Sequence, residues 1–139
     1  MAKKKKKELT LHQLRVITLR RASMRWKYKY QALNAAKVVV NDGFYKNGNV
    51  RTKMMFKCAC CKKLYDRREV CVDHINPVVD TEEGFSDWNE YVPNLLCEIN
   101  NLQILCKKPC HSEKTARENE IRGKSRIIKK RLDKARKSR

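Results

Sequence analysis

Cys58-Ala59-Cys60-Cys61 and, beyond residues 62–105, Cys106-Lys107-Lys108-Pro109-Cys110 set two pairs of thiols at short spacing. Four thiolates in two such knuckles can close a tetrahedral sulfur shell around Zn²⁺, and a shell with every position taken is structural, with no room for substrate. Cys58 and Cys61 form a C-x-x-C step that aims both sulfurs at one ion, which leaves Cys60 as the competitor within the first knuckle. Cys71 and Cys97 read as small hydrophobes. Seven cysteines are an odd number for a disulfide framework, and their clustering points to reduced thiols holding a metal.

The rest of the composition narrows the class. The chain has 139 residues, enough for one domain with extensions. Its 34 Lys plus Arg against 15 Asp plus Glu leave a formal charge of +19, an excess that repels itself unless a polyanion lies nearby, so nucleic acid is the expected partner. No stretch is apolar enough to span a bilayer or to resemble a secretory leader, and no membrane partner is expected; an intracellular protein is.

Outward from the cysteines, the chain divides as follows. Residues 1–8 are a lysine-rich arm without an apolar side chain beyond the initiator Met1 and Ala2, expected to be disordered. From Leu9 to Asn41 the steps Leu11, Leu14, Ile17 and later Leu33, Ala36, Val40 predict two helices joined near Ser23–Tyr28, the second ended by Asn41-Asp42-Gly43. Residues 9–53 thus form a helical, basic region, followed by a core at 54–123 and a basic tail at 124–139. Asn47-Gly48 predicts a hairpin or loop before a strand at Met54–Lys57, and a second strand is expected at Glu69–Asp73. The acidic run Val78–Asn94 reads as a long loop pinned by Phe85, Trp88 and Tyr91. A helix from Cys110, started by Pro109, is expected to stop at Gly123.

Val72-Asp-His-Ile-Asn-Pro-Val-Val-Asp80 puts a carboxylate beside an imidazole at the end of the second strand. Alternation would send Asp73 and His74 to opposite faces, but at a strand end beside a turn both can reach one cavity. His111 follows the last knuckle cysteine, which fixes its backbone. A carboxylate oxygen and an imidazole nitrogen, completed by water, suit a hard divalent ion such as Mg²⁺ or Mn²⁺.

The order Asp-His, then Asn101-Leu-Gln-x-Leu-Cys106, then Cys110-His-x-x-Lys-Thr115 resembles the HNH endonucleases of the ββα-metal group, particularly the small phage-encoded type with a four-cysteine zinc. The resemblance runs from about Arg20 to Glu118 and includes Leu19–Trp26 and Gly84–Trp88. It implies an α+β fold: a small zinc-stapled ββα-metal core with N-terminal helices and a basic C-terminal tail. It implies that His74 is the general base that activates a water, that Asp73 and His111 hold the catalytic ion against a phosphate oxygen and the departing 3′ oxygen, and that Asn101 braces the loop carrying the base. The second knuckle departs from the family pattern, with three residues between its cysteines rather than two. Thr115 stands where some relatives place a further metal-binding His or Asn.

Double-stranded DNA is the implied substrate, cut to 5′-phosphate and 3′-hydroxyl ends. Arg20, Arg21, Arg25, Lys27 and Lys29, interleaved with Trp26, Tyr28 and Tyr30 whose rings either pack or stack, are expected phosphate contacts, and so is Lys114. The alternative reading is a zinc-containing protein that binds DNA or RNA through charge and has no catalytic activity.

Overall fold

The computed structural model describes residues 8–138; the lysine arm at 1–7 and Arg139 lie outside the described residues. Helix α1 (Leu11–Ser23) opens on Thr10, whose hydroxyl accepts from the Gln13 amide at 3.2 Å while the Gln13 side chain accepts from the Thr10 amide at 2.9 Å. That reciprocal pair satisfies two backbone donors that a helix start leaves free. Helix α2 (Lys27–Ala35) follows after a break in which Trp26 turns inward and donates from Nε1 to the Cys97 carbonyl at 2.8 Å. The expected join at Ser23–Tyr28 is where the break falls. Packing, rather than stacking on a ligand, is the fate of Trp26.

The second expected helix stops short. Lys37–Phe44 is strand β1, antiparallel to β2 (Val50–Lys57), with Val38 opposite Met55 and Val39 opposite Met54. Three consecutive β-branched valines lose rotamer freedom in a helix and fit a pleated surface, and that preference prevails over the Leu33, Ala36, Val40 periodicity. Asn41-Asp42-Gly43 is therefore an irregularity within β1, not a helix stop: the register shifts between Asn41 and Phe44, and Gly43 takes φ +93°. Asn47-Gly48 makes the hairpin turn, and β2 is longer than the expected Met54–Lys57. β3 (Leu64–Tyr65) pairs with the end of β2.

A second sheet supports the site. β4 (Val70–His74) and β5 (Leu102–Cys106) are antiparallel, from Val70 opposite Cys106 to His74 opposite Leu102. Between them the acidic stretch is not a loop throughout. Asp87 caps helix α3 (Trp88–Leu95) by accepting from the Glu90 amide at 2.9 Å, a start signal the turn-rich composition obscured. Phe85, Trp88 and Tyr91 do pin the segment, together with His12 of α1, at ring separations of 4.7 to 5.8 Å.

After β5 the chain turns through Lys107–His111 into helix α4 (Ser112–Lys137), which runs straight past Gly123. Glycine costs about 1 kcal/mol in a helix interior. The Glu118–Arg122 and Glu120–Lys124 pairs flank it at one-turn spacing, each offsetting ~0.2–0.5 kcal/mol. Residues 124–137, expected only as a basic tail, thus belong to the helix. No helix among the described residues is long and apolar enough to cross a membrane.

The core is small. Ala32, Phe56, Val70, Leu102 and Ile104 form one buried cluster between α2 and the sheets, while Leu105 packs with Cys58, Cys106 and Cys110 in a second. Among the described residues eleven apolar side chains are buried, and three of them are these cysteines. A core this thin would gain much of its stability from a metal ion held by the cysteines.

Candidate functional site

The sulfurs of Cys58, Cys61, Cys106 and Cys110 all lie within 4.8 Å of one another. Around a tetrahedral Zn²⁺ with bonds of ~2.3 Å, sulfurs sit ~3.8 Å apart, so the set fits one ion. The strands and turns that hold it are local. The Cys106 amide donates to Cys58 Sγ at 3.3 Å, the Ala59 amide donates to the Ile104 carbonyl, and Lys62 turns the first knuckle at φ +63°. Tyr65 makes a 3.4 Å contact from its hydroxyl to Cys61 Sγ, and this bond draws the Cys61 thiol down to about 6. Burial pushes Cys110 the other way. Four thiols so close cannot all ionise without a cation between them. Cys60 is exposed and outside the set, and the three residues within the second knuckle still bring Cys110 to it.

One turn further, a cleft of about 490 Å³ opens between the α1–α2 junction, the end of β4 and the start of α4. Asp73, His74 and His111 all line it. Strand geometry alone would separate the first two, but β4 ends at His74, and the next residues are tied to Asn101: the Ile75 amide donates to its carbonyl at 2.9 Å and the Asn76 amide to its Oδ1 at 2.9 Å. The Asn101 side-chain amide returns a longer bond to the Asn76 carbonyl at 3.4 Å. Asn101 thereby fixes the exit from the strand. In Asn101→Ala the Asn76 amide loses its acceptor, and a loss of roughly 1 kcal/mol in chemical denaturation is expected; unchanged stability would show that water replaces the bond.

His74 is half-buried, and its Nε2 lies 3.1 Å from the Leu95 carbonyl at the end of α3. A carbonyl can only accept, so Nε2 carries a proton and, in the neutral ring, Nδ1 has the free lone pair. Burial pushes the imidazole pKa below its ordinary 6.5, and Lys29 adds to this, against the Leu95 bond and the Asp73 charge, which work upward.

Asp73 has a largely covered side chain, 12% exposed, with its two oxygens in different surroundings. Oδ1 lies 3.8 Å from His111 Nε2. That spacing lies between the ~3.0 Å of adjacent and ~4.2 Å of opposed ligands around a six-coordinate ion with ~2.1 Å bonds, so the partly exposed His111 ring would have to shift by a few tenths of an ångström or more for the two atoms to share a small divalent cation. The pair offers two protein ligands, whereas among the described residues the cysteines are the group of three or more.

The basic residues expected at DNA divide between cleft and surface. Arg20 and Lys29 line the cleft: Arg20 donates to the Tyr91 hydroxyl at 3.4 Å, and Lys29 donates to the Ser23 hydroxyl at 3.2 Å, its pKa lowered by burial. Arg21 and Arg25 are exposed and are not among the residues that line the cleft. Lys27 lies over the Tyr28 and Trp26 rings at 4.8 and 5.9 Å. Lys114 lines the cleft with its amine turned inward, bonded to Asp73, Glu118 and the His74 carbonyl. Burial works against its charge, but the bonds to Glu118 and Asp73 outweigh it and raise the pKa.

Thr115 also lines the cleft, as do Glu118 and Arg122, which the sequence did not single out. Gln103 was missed as well: it stands opposite Asp73 in the β4–β5 register and donates to Asp73 Oδ2 at 2.9 Å. None of the family models, curated proteins or solved structures compared with this chain matches it.

Proposed function

We propose that this chain is a metal-dependent DNA endonuclease of the HNH type, hydrolysing phosphodiesters to 5′-phosphate and 3′-hydroxyl ends. The observation that carries this reading is the convergence of Asp73, His74 and His111 on one cleft, with His74 Nε2 committed to a backbone carbonyl. The succession of β4, β5 and α4, stapled at the turn by four cysteines, supports a ββα-metal core.

In this scheme His74 Nδ1 takes a proton from a water, and the resulting hydroxide attacks the phosphorus in line with the 3′ oxygen. Asp73 and His111 would hold Mg²⁺ or Mn²⁺, which when bound supplies charge neutralisation to the phosphate and the leaving oxygen. Arg20 and Lys29 line the same cleft and contribute cationic contacts to phosphate. The exposed basic faces of α1 and α4 add affinity that does not depend on sequence. Neutralising about six phosphates would make that affinity fall steeply with salt.

The test is incubation of the zinc-loaded protein with supercoiled plasmid, with and without Mg²⁺ or Mn²⁺. Metal-dependent conversion to nicked or linear DNA is expected. Binding without cleavage in either metal would leave a zinc-containing nucleic-acid-binding protein, a reading favoured by the net charge of +19 and by a cleft in which, among the described residues, no three metal-ligand atoms come together.

The lowered pKa of His74 sets the pH dependence. The base acts only when neutral, so cleavage should hold at a plateau down to pH 6.5 and decline only below it, as the pH passes through the depressed folded value. The same shift bears on folding. Below pH 6.5 the unfolded chain protonates this histidine more readily than the folded one, so stability is lost as pH falls and is unaffected above. A cleavage profile that drops already above pH 7 would contradict the assignment of His74 as base.

A further inference from the structure

Asp73 Oδ2 is fully engaged. It accepts from Gln103 Nε2 at 2.9 Å and from the Lys114 ammonium at 3.0 Å. Lys114 in turn has no proton to spare: an ammonium donates three hydrogen bonds, and its three acceptors are Asp73 Oδ2, Glu118 Oε1 at 2.7 Å and the His74 carbonyl at 2.8 Å. Moving this amine would break three charge-assisted contacts together. The tripod also joins the last two residues of β4 to the first turn of α4, fixing Asp73 relative to both His74 and His111.

We propose that Gln103 and Lys114 are positioning residues that confine Asp73 to a single available oxygen, Oδ1, and thereby select a small six-coordinate ion over calcium. The inference rests on the reading of the cleft as a divalent-metal site. Ca²⁺ takes six to eight oxygens and commonly uses both oxygens of a carboxylate, whereas Mg²⁺ keeps an octahedral shell rich in water and is content with one. With Oδ2 capped by two donors, the chelating mode is closed. The fixed positive charge of Lys114 beside the carboxylate also weakens the site, and a substrate phosphate that enters the shell strengthens it.

The experiment is Mn²⁺ binding to the zinc-loaded protein, followed by electron paramagnetic resonance, with Mg²⁺ and Ca²⁺ as competitors. Wild type, Gln103→Leu, Lys114→Met and Asp73→Asn are compared, each checked for stoichiometric zinc. In wild type Mg²⁺ should displace Mn²⁺ more effectively than Ca²⁺. In Gln103→Leu, which removes one of the two donors on Oδ2 and opens one of its lone pairs while leaving the Lys114 tripod in place, the balance should shift toward Ca²⁺ by roughly tenfold, the lower end of what outer contacts to a metal ligand contribute. Lys114→Met should shift it in the same direction if the variant folds. General loosening would weaken both competitors together, so the ratio reports the carboxylate's binding mode. An unchanged Ca²⁺ to Mg²⁺ ratio in Gln103→Leu, with Mn²⁺ still bound and lost in Asp73→Asn, would overturn the clamp and leave the metal site standing. No Mn²⁺ binding in wild type would overturn both.

Discussion

In the His74→Ala protein, Mg²⁺- or Mn²⁺-dependent plasmid cleavage is expected to fall by about 10²–10⁴-fold, the usual contribution of a positioned general base, while zinc content and DNA binding stay at wild-type levels. The separation of these readouts follows from where His74 sits. Its ring is half-buried at the end of β4 and makes one hydrogen bond, to the Leu95 carbonyl. Truncation leaves that carbonyl without its partner at a cleft edge that water can reach, which costs about 1 kcal/mol. The four cysteines and the basic faces are untouched.

A His74→Gln variant sharpens the test. Glutamine can restore a donor to Leu95 but cannot act as a base near neutral pH, so it should recover stability and not cleavage. A cleavage rate in either variant within a few-fold of wild type would remove His74 from the chemistry, and the proton acceptor would then have to be sought elsewhere in the cleft.

Much of the site was legible because its chemistry is local in the chain. Cys58 with Cys61, and Cys106 with Cys110, each fall within one turn of backbone, so spacing alone placed their sulfurs together. Asp73, His74 and Asn101 could be named from residue type and order. What could not be read is what crosses the chain. Gln103 reaches Asp73 only because the β4–β5 register pairs them, and a shift of one residue would turn it away. The partner of His74 is a backbone carbonyl at Leu95, which no side-chain pattern marks. Lys114 was named as a phosphate contact, but the sequence does not show that three acceptors drawn from β4 and α4 hold its amine inward.

The fold misreadings have the same origin. In Lys37–Phe44 two local signals conflict, helical spacing and a β-branched run, and pairing with Val50–Lys57 decides between them. At Gly123 the stop signal is real but weak. A glycine ends a helix when the next residues leave it, whereas Lys124–Lys137 are helix formers with a flanking ion pair to Glu120.

Replacing Cys106 with serine is expected to abolish stoichiometric zinc and to unfold the β4–β5 region. Cys106 is fully buried, ends β5 and donates its amide to Cys58 Sγ, so it holds the two knuckles together as well as contributing a sulfur. A site absent from the unfolded chain adds its binding energy to folding, and structural Zn²⁺ sites bind with about 10–16 kcal/mol, comparable to the whole stability of a typical domain, about 5–15 kcal/mol. With three cysteines among eleven buried apolar side chains, the remaining core cannot make up that loss. Circular dichroism should show lost strand and helix signal at 25 °C. Chelation of wild type should reproduce the loss, with added zinc rescuing wild type but not the variant. Cys60→Ser supplies the contrast: its thiol is exposed and outside the four-sulfur group, so zinc content and melting should match wild type. A Cys106→Ser protein that kept its fold with no metal bound would show that the strands stand on their own packing, and His111 would then owe its place in the cleft to α4 rather than to the zinc.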